Sequence, residues 1–158
     1  MTTISKDSPC LSITTVALNR LPVFRTDKVK AIACAALDEA RRSGGFALFA
    51  YVMMPDHIHA ITDGARKPSD TLRFVNGILS HRVIEYLKAK GHDASLAKLR
   101  TQQKDRGYRY SLVDHHSNVT LLTSESVFMR GAHHAAQAPP IRSELEGRGQ
   151  CAYDSAAR

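Results

Sequence analysis

Tyr51-Val-Met-Met-Pro-Asp-His-Ile-His-Ala-Ile61 decides how this chain is read, because it sets two imidazoles two residues apart inside an apolar, strand-like run. Side chains alternate faces along a strand, so His57 and His59 share one face while Ile58 and Ala60 take the other. Neutral imidazole is the commonest metal ligand, and a rigid strand presents two ring nitrogens toward one ion without ordering a loop. The run therefore predicts a divalent-ion site built on a strand. The same residues also fit an edge strand that carries two half-exposed histidines and no ion.

Working outward, Phe46 to Met53 and His57 to Asp63 read as two strands joined at Met54-Pro55-Asp56, where proline sets the turn. A hairpin carries the histidines. Upstream, Leu11-Ser-Ile-Thr-Thr-Val-Ala17 is rich in β-branched residues and alternates in part, which predicts a first strand that Pro22 helps to stop. From Thr26, an N-cap residue, Val29, Ile32, Ala33, Ala36, Leu37 and Ala40 recur at helical spacing until Gly44-Gly45 ends the run. Pro68-Ser-Asp-Thr71 opens a second helix with an apolar stripe of Leu72, Val75, Ile78, Leu79, Val83, Tyr86 and Leu87, closed by Gly91. Strand, helix, strand, strand, helix is the order of an α+β sandwich, with one antiparallel sheet and helices on one face.

A length of 158 residues fits one domain that buries a real core. Residues 1–140 are expected to form it, and the tail 141–158, rich in Arg, Gly, Glu and Ser, to be loosely ordered. The net charge of +7 predicts attraction to polyanions, because each phosphate met by Lys or Arg releases condensed counterions. Nucleic acid is the natural partner, although a merely basic surface carries the same charge. Arg66, Lys67, Arg73, His81, Arg82, Lys88 and Lys90 make either a DNA-facing or a solvated polar face beside the second helix. Between Lys98 and Arg109, cations including Lys104 and Arg106 interleave with Tyr108, and Tyr110 follows, a composition that suits phosphate contact plus base stacking, although a structural tyrosine pair is the more ordinary reading. Cys10, Cys34 and Cys151 are odd in number and scattered, so neither a disulfide framework nor a zinc ribbon is suggested and the cytoplasm is expected. The apolar patch from Leu11 to Leu18 is too short and too polar to target or span a membrane.

The stretch around Tyr51, Val52, Met54, Pro55, Asp56, His57, Ile58 and His59 resembles the REP-associated tyrosine transposases, a group of the single-tyrosine HUH transposases. Leu72 to Gly77, Ser95 to Arg100, Tyr108 to Leu112 and His115 to Val119 also look like stretches of one subgroup, so the resemblance runs over about residues 10 to 130. It implies a ferredoxin-like, HUH-type core in which the histidine pair lies on a central strand and faces a helix from near the C-terminus. It also implies that the pair and a polar residue of that helix bind Mg²⁺ or Mn²⁺, that the partner is single-stranded or hairpin DNA, and that the protein sits at the bacterial nucleoid. Both monomers and dimers occur in the family, which leaves a homodimer open. In such proteins a helix tyrosine attacks the metal-polarised phosphate and holds the DNA covalently until it is rejoined.

Phe128 and Met129 match the start of the tyrosine motif, and Pro139 its end. Between them His134 stands at the nucleophilic tyrosine, while Ala136 and Ala138 replace the family histidine and asparagine. Cleavage and rejoining are therefore expected to be weakened or lost. His134 then serves as an unmatched nucleophile, or His134 or Gln137 as a third metal ligand. Tyr153 offers a phenol in the wrong motif context. Two other readings stay open: a domesticated hairpin-binding module without chemistry, and a metal-dependent hydrolase in which His57, His59, Asp56 or Asp63 and a helix histidine activate water for phosphodiester cleavage with no covalent step. Asp56 and Asp63 also read as a turn residue and a loop charge. His115 and His116, adjacent and so facing opposite ways in an extended segment, read as structural or surface residues.

Overall fold

The structure, a computed structural model, describes residues 9–104, 107–115 and 117–123. Its elements run β1 (Cys10–Val16), α1 (Asp27–Gly44), β2 (Leu48–Met53), β3 (His57–Asp63), α2 (Pro68–Ala89), α3 (Asp93–Lys98), β4 (Arg100–Gln103), β5 (Gly107–Tyr110) and β6 (Asn118–Leu122). The main sheet has the order β2-β3-β1-β6, with every neighbouring pair antiparallel. α1 carries the chain from β1 past β3 to β2, and α2 begins the return from β3 to β6 on the other side of β1. Two interlocked crossovers of this kind make the ferredoxin-like arrangement, and the predicted α+β fold with an antiparallel sheet is the observed one.

Local chemistry explains the long elements. Thr26 caps α1 by accepting the Val29 N–H at 3.3 Å, and Asp27 in the first turn and Arg41 and Arg42 in the last suit the helix dipole. Gly45, at φ 65°, ends the helix in the left-handed conformation. Val29, Ala33, Ala36, Leu37, Ala40 and Gly44 are its buried residues. α2 starts with Pro68 in its first turn and buries Thr71, Val75, Leu79, Val83 and Leu87, one residue per turn, while Leu72, Ile78 and Tyr86 flank that row partly buried.

These faces close over the sheet face that carries Ile13, Ile58 and Ala60, and Phe24, Leu37 and Leu79 join them in one core. Thr15, also fully buried there, donates from its hydroxyl to Asn76 Oδ1 of α2 at 2.7 Å, which ties the helix to the central strand. Among the described residues, no helix is long and apolar enough to cross a membrane.

Three features differ from the sequence expectation. β2 begins at Leu48 instead of Phe46, because the helix cap continues through Phe46, whose N–H still bonds the Arg41 carbonyl. The basic run after Gly91 forms α3 and the β4–β5 hairpin, elements of 6 and 4 residues that are too short to show a period. β6 forms the sheet's fourth strand, where no strand was foreseen. The expected domain limit at residue 140 lies outside the described residues.

Candidate functional site

β3 lies between β1 and β2, so its backbone is laddered on both sides and its side chains are held in fixed directions. Ile58 and Ala60 point into the core beneath the helices, at 1% and 2% exposure, and His57 and His59 point from the opposite face. Their rings meet edge to face, with centroids 4.8 Å apart. The period-two reading of the sequence is therefore realised in space.

His57 is braced from three sides. The Met54 N–H bonds the His57 carbonyl at 2.8 Å and closes the turn through Pro55 and Asp56. The carbonyls of Pro55 and Asp56 accept the N–H groups of Phe24 (2.9 Å) and Ala17 (2.8 Å), which anchors that turn to the chain after β1. Asp56 Oδ1 lies 2.6 Å from His57 Nδ1, and Arg20 Nη1 donates to Asp56 Oδ2 at 3.0 Å. The hydrogen bond with His57, seconded by Arg20, holds the Asp56 carboxyl below its ordinary range although partial burial opposes it. An ionised carboxylate only accepts, so His57 presents a proton on Nδ1, and in the neutral ring that tautomer leaves the lone pair on Nε2. His59 Nδ1 is 3.0 Å from Thr14 Oγ1, its direct cross-strand partner in the β1–β3 register.

Sequence reading missed Thr14 and Arg20. Thr14 depends on a strand register that no local pattern reveals. Arg20 follows Asn19 in a pair of positive-φ residues (53° and 52°) that swing the chain toward Asp56.

The donor set suits a divalent ion as far as it goes: two imidazoles on one rigid strand, one with its tautomer set by a carboxylate. Among the described residues no group of three His, Cys, Asp or Glu is placed to hold a metal ion. Asp63 sits six residues along β3 from His57, about 20 Å away at strand rise, and as the last residue of the strand it accepts the Ala65 N–H of the following loop. The other residues named from the sequence, His134, Gln137, Arg106, His116 and Tyr153, lie outside the described residues. His115 is exposed in a turn.

The named cations fall into separate places. Arg66 bonds the Gly44 carbonyl through Nε and lays its guanidinium over Phe74, 5.3 Å from the ring centroid. Lys67 is exposed at the start of α2, beyond the Asp63 end of β3. Arg73 and Arg82 stand on α2, in the helix layer behind the sheet; Arg73 lies 3.7 Å from Asp70, and Arg82 bonds both oxygens of Glu39 and also Glu85. Lys104 is exposed at the end of β4, and Tyr108, on β5, is 50% exposed.

The β4–β5 hairpin is rooted at the histidine end of the sheet. Ala17 bridges Val113, the Asp114 N–H bonds the Val16 carbonyl at 2.8 Å, and Val16 is the register partner of His57. Tertiary structure thus brings the hairpin residues and Arg20 to the His57 end and sets Arg66, Lys67, Arg73 and Arg82 apart from it.

No family model matches the chain, and no curated protein matches it. Solved structures do match. A REP-associated tyrosine transposase bound to a REP hairpin aligns with a TM-score of 0.51 and 14% identity, over 86% of this chain and 67% of its own. A provisionally assigned transposase from Deinococcus radiodurans R1 aligns with a TM-score of 0.50 and 18% identity, over 84% of this chain and 92% of its own. At such identities the likeness is one of fold, and it is to two transposases that this α+β fold is similar.

Proposed function

We propose that this chain is a transposase-like DNA-binding protein that takes hairpin-bearing single-stranded DNA at the His57–His59 face. In this reading a divalent ion, Mg²⁺ or Mn²⁺, is held by the two imidazoles together with a donor from His134 or Gln137. The observation that carries it is the imidazole pair on the sheet face away from the helices, with Asp56 fixing the proton on His57 Nδ1. The shared fold with a transposase bound to a REP hairpin and the net charge of +7 support it.

A bound divalent ion supplies charge neutralisation and orientation at a phosphodiester. The chain's own residues prepare that place. Asp56 orients His57 and raises its basicity as a ligand, Thr14 restrains the His59 ring, and Arg20 adds positive charge beside Asp56. His134 stands where the resemblance places a tyrosine, and an imidazole there offers no phenolate to conserve the phosphodiester bond for rejoining. The reading is therefore of DNA and metal binding with the covalent step lost.

Incubation of the purified protein with labelled DNA hairpins and Mn²⁺, run on native and denaturing gels, tests this. The expected result is a shifted complex on the native gel with neither adduct nor cleaved strand on the denaturing gel. A covalent protein–DNA adduct would show that a nucleophile survives, and multiple-turnover cleavage without adduct would make the chain a hydrolase. Absence of any complex would remove the reading altogether.

A further inference from the structure

We propose that Arg100 and Tyr108 of the β4–β5 hairpin form a stacking platform for one unpaired base of the DNA held at the histidine face, a proposal that rests on the reading of that face as a single-stranded DNA site. Arg100 pairs with Tyr110 and Gln102 with Tyr108 across the hairpin, so these four side chains share one face of the ribbon. Tyr110, at the root, packs against the core and takes Lys88 Nζ over its ring at 5.1 Å. Tyr108, nearer the tip, stays 50% exposed, an apolar ring left in water on a strand of 4 residues.

That ring is held in place. The Arg100 guanidinium carbon lies 3.3 Å from its centroid, and the Tyr110 ring meets it at 80° with centroids 5.9 Å apart. Ordering the ring before any ligand arrives removes much of the entropy cost of stacking on it. Cations outnumber carboxylates along this ribbon: Arg100 lies on the platform face and Arg109 on the other, Lys104 follows β4, and Asp105 is the one acidic residue in the sequence from 100 to 110. A flat ring beside cations fits a nucleotide, with phosphate met by Lys104 and the base by the ring. The base must be unpaired, because a duplex buries both of its faces in the stack. The chain leaving the hairpin is tied to Ala17 and to Val16, the register partner of His57, so the platform's root lies at the same end of the sheet as the imidazole pair.

Fluorescence anisotropy with a labelled DNA hairpin bearing a single-stranded flank, read against flanks carrying one abasic site at successive positions, tests the platform. Tyr108→Ala is expected to raise Kd about 5- to 100-fold and Tyr108→Phe less than about twofold, the range of one lost base–aromatic stack. One abasic position should weaken binding by the wild type and leave Tyr108→Ala unchanged, a coupling that general loss of charge would not produce. Tyr108 is half exposed, so the fold should survive, and circular dichroism of each variant checks it. If the wild type binds hairpin DNA and Tyr108→Ala binds it equally well, the platform is wrong and the histidine site stands; if the wild type binds no single strand at all, both fall.

Discussion

His57 shows how one backbone register and one neighbouring carboxylate turn a common side chain into a candidate ligand. Its direction follows from strand parity, and its proton follows from Asp56 at 2.6 Å. Asp56→Asn keeps the shape of the contact but lets the neighbour donate as well as accept, so the tautomer is no longer specified. Mn²⁺ affinity, measured by titration calorimetry, is expected to fall about 10- to 100-fold in Asp56→Asn, as for other carboxylates behind a ligating histidine, and to be lost in His57→Ala. Unchanged affinity in both would remove the metal centre. The histidines were legible in the sequence because their spacing alone puts them on one face. Thr14 and Arg20 were not, since one arrives by cross-strand register and the other by a turn with positive φ at Asn19 and Arg20.

The elements differ in how much of their stability is local. α1 holds its own signals, a threonine cap, a glycine stop and charges matched to its dipole, and Thr26→Ala is expected to cost about 1 kcal/mol in urea denaturation. α2 has no side-chain cap and depends on what it covers. Leu79, fully buried in the middle of that row, is expected to cost about 2–5 kcal/mol when cut to alanine, with a lowered denaturation midpoint and an unchanged slope. A loss well under 1 kcal/mol would mean that the helix does not seal the core as described. Both helices were readable because their apolar residues recur over many turns. α3 and the β4–β5 hairpin were not, because elements of 6 and 4 residues carry no period, and their anchors, Leu96, Leu99 and Leu112, look like any scattered leucines until the core gathers them.

Across the whole molecule, charge does two separate things. Between the helices it binds the fold together: Arg82 of α2 holds both oxygens of Glu39 on α1, and this hydrogen bonding keeps the Glu39 carboxyl below its ordinary range. The native state therefore binds that proton less readily than the unfolded chain does. The pair's contribution is complete above the ordinary glutamate range and disappears as pH falls through the lowered native value. Urea midpoints of the wild type and Glu39→Gln should differ at neutral pH and converge as pH falls below the ordinary glutamate range, and salt should shrink the difference because both groups reach solvent. At the other end, cations around the histidines and hairpin face solvent, and DNA affinity should fall linearly on a log–log plot against salt. Lys104→Ala is expected to flatten that slope by roughly one contact, whereas Arg82→Ala, on a side chain already held by carboxylates behind the sheet, should leave it unchanged. The sequence by itself determined what depends on near neighbours along the chain: the two long helices, the hairpin through Pro55, the shared face of His57 and His59, and the α+β class. Tertiary structure decided what depends on distant pairing, namely the β2-β3-β1-β6 order, the bracing of the site by Thr14 and Arg20, and the sorting of the cations between the histidine end and the helix layer. The physical reason is range: side-chain periodicity and capping act within a few residues, whereas register and crossover choice are set by burying one common core.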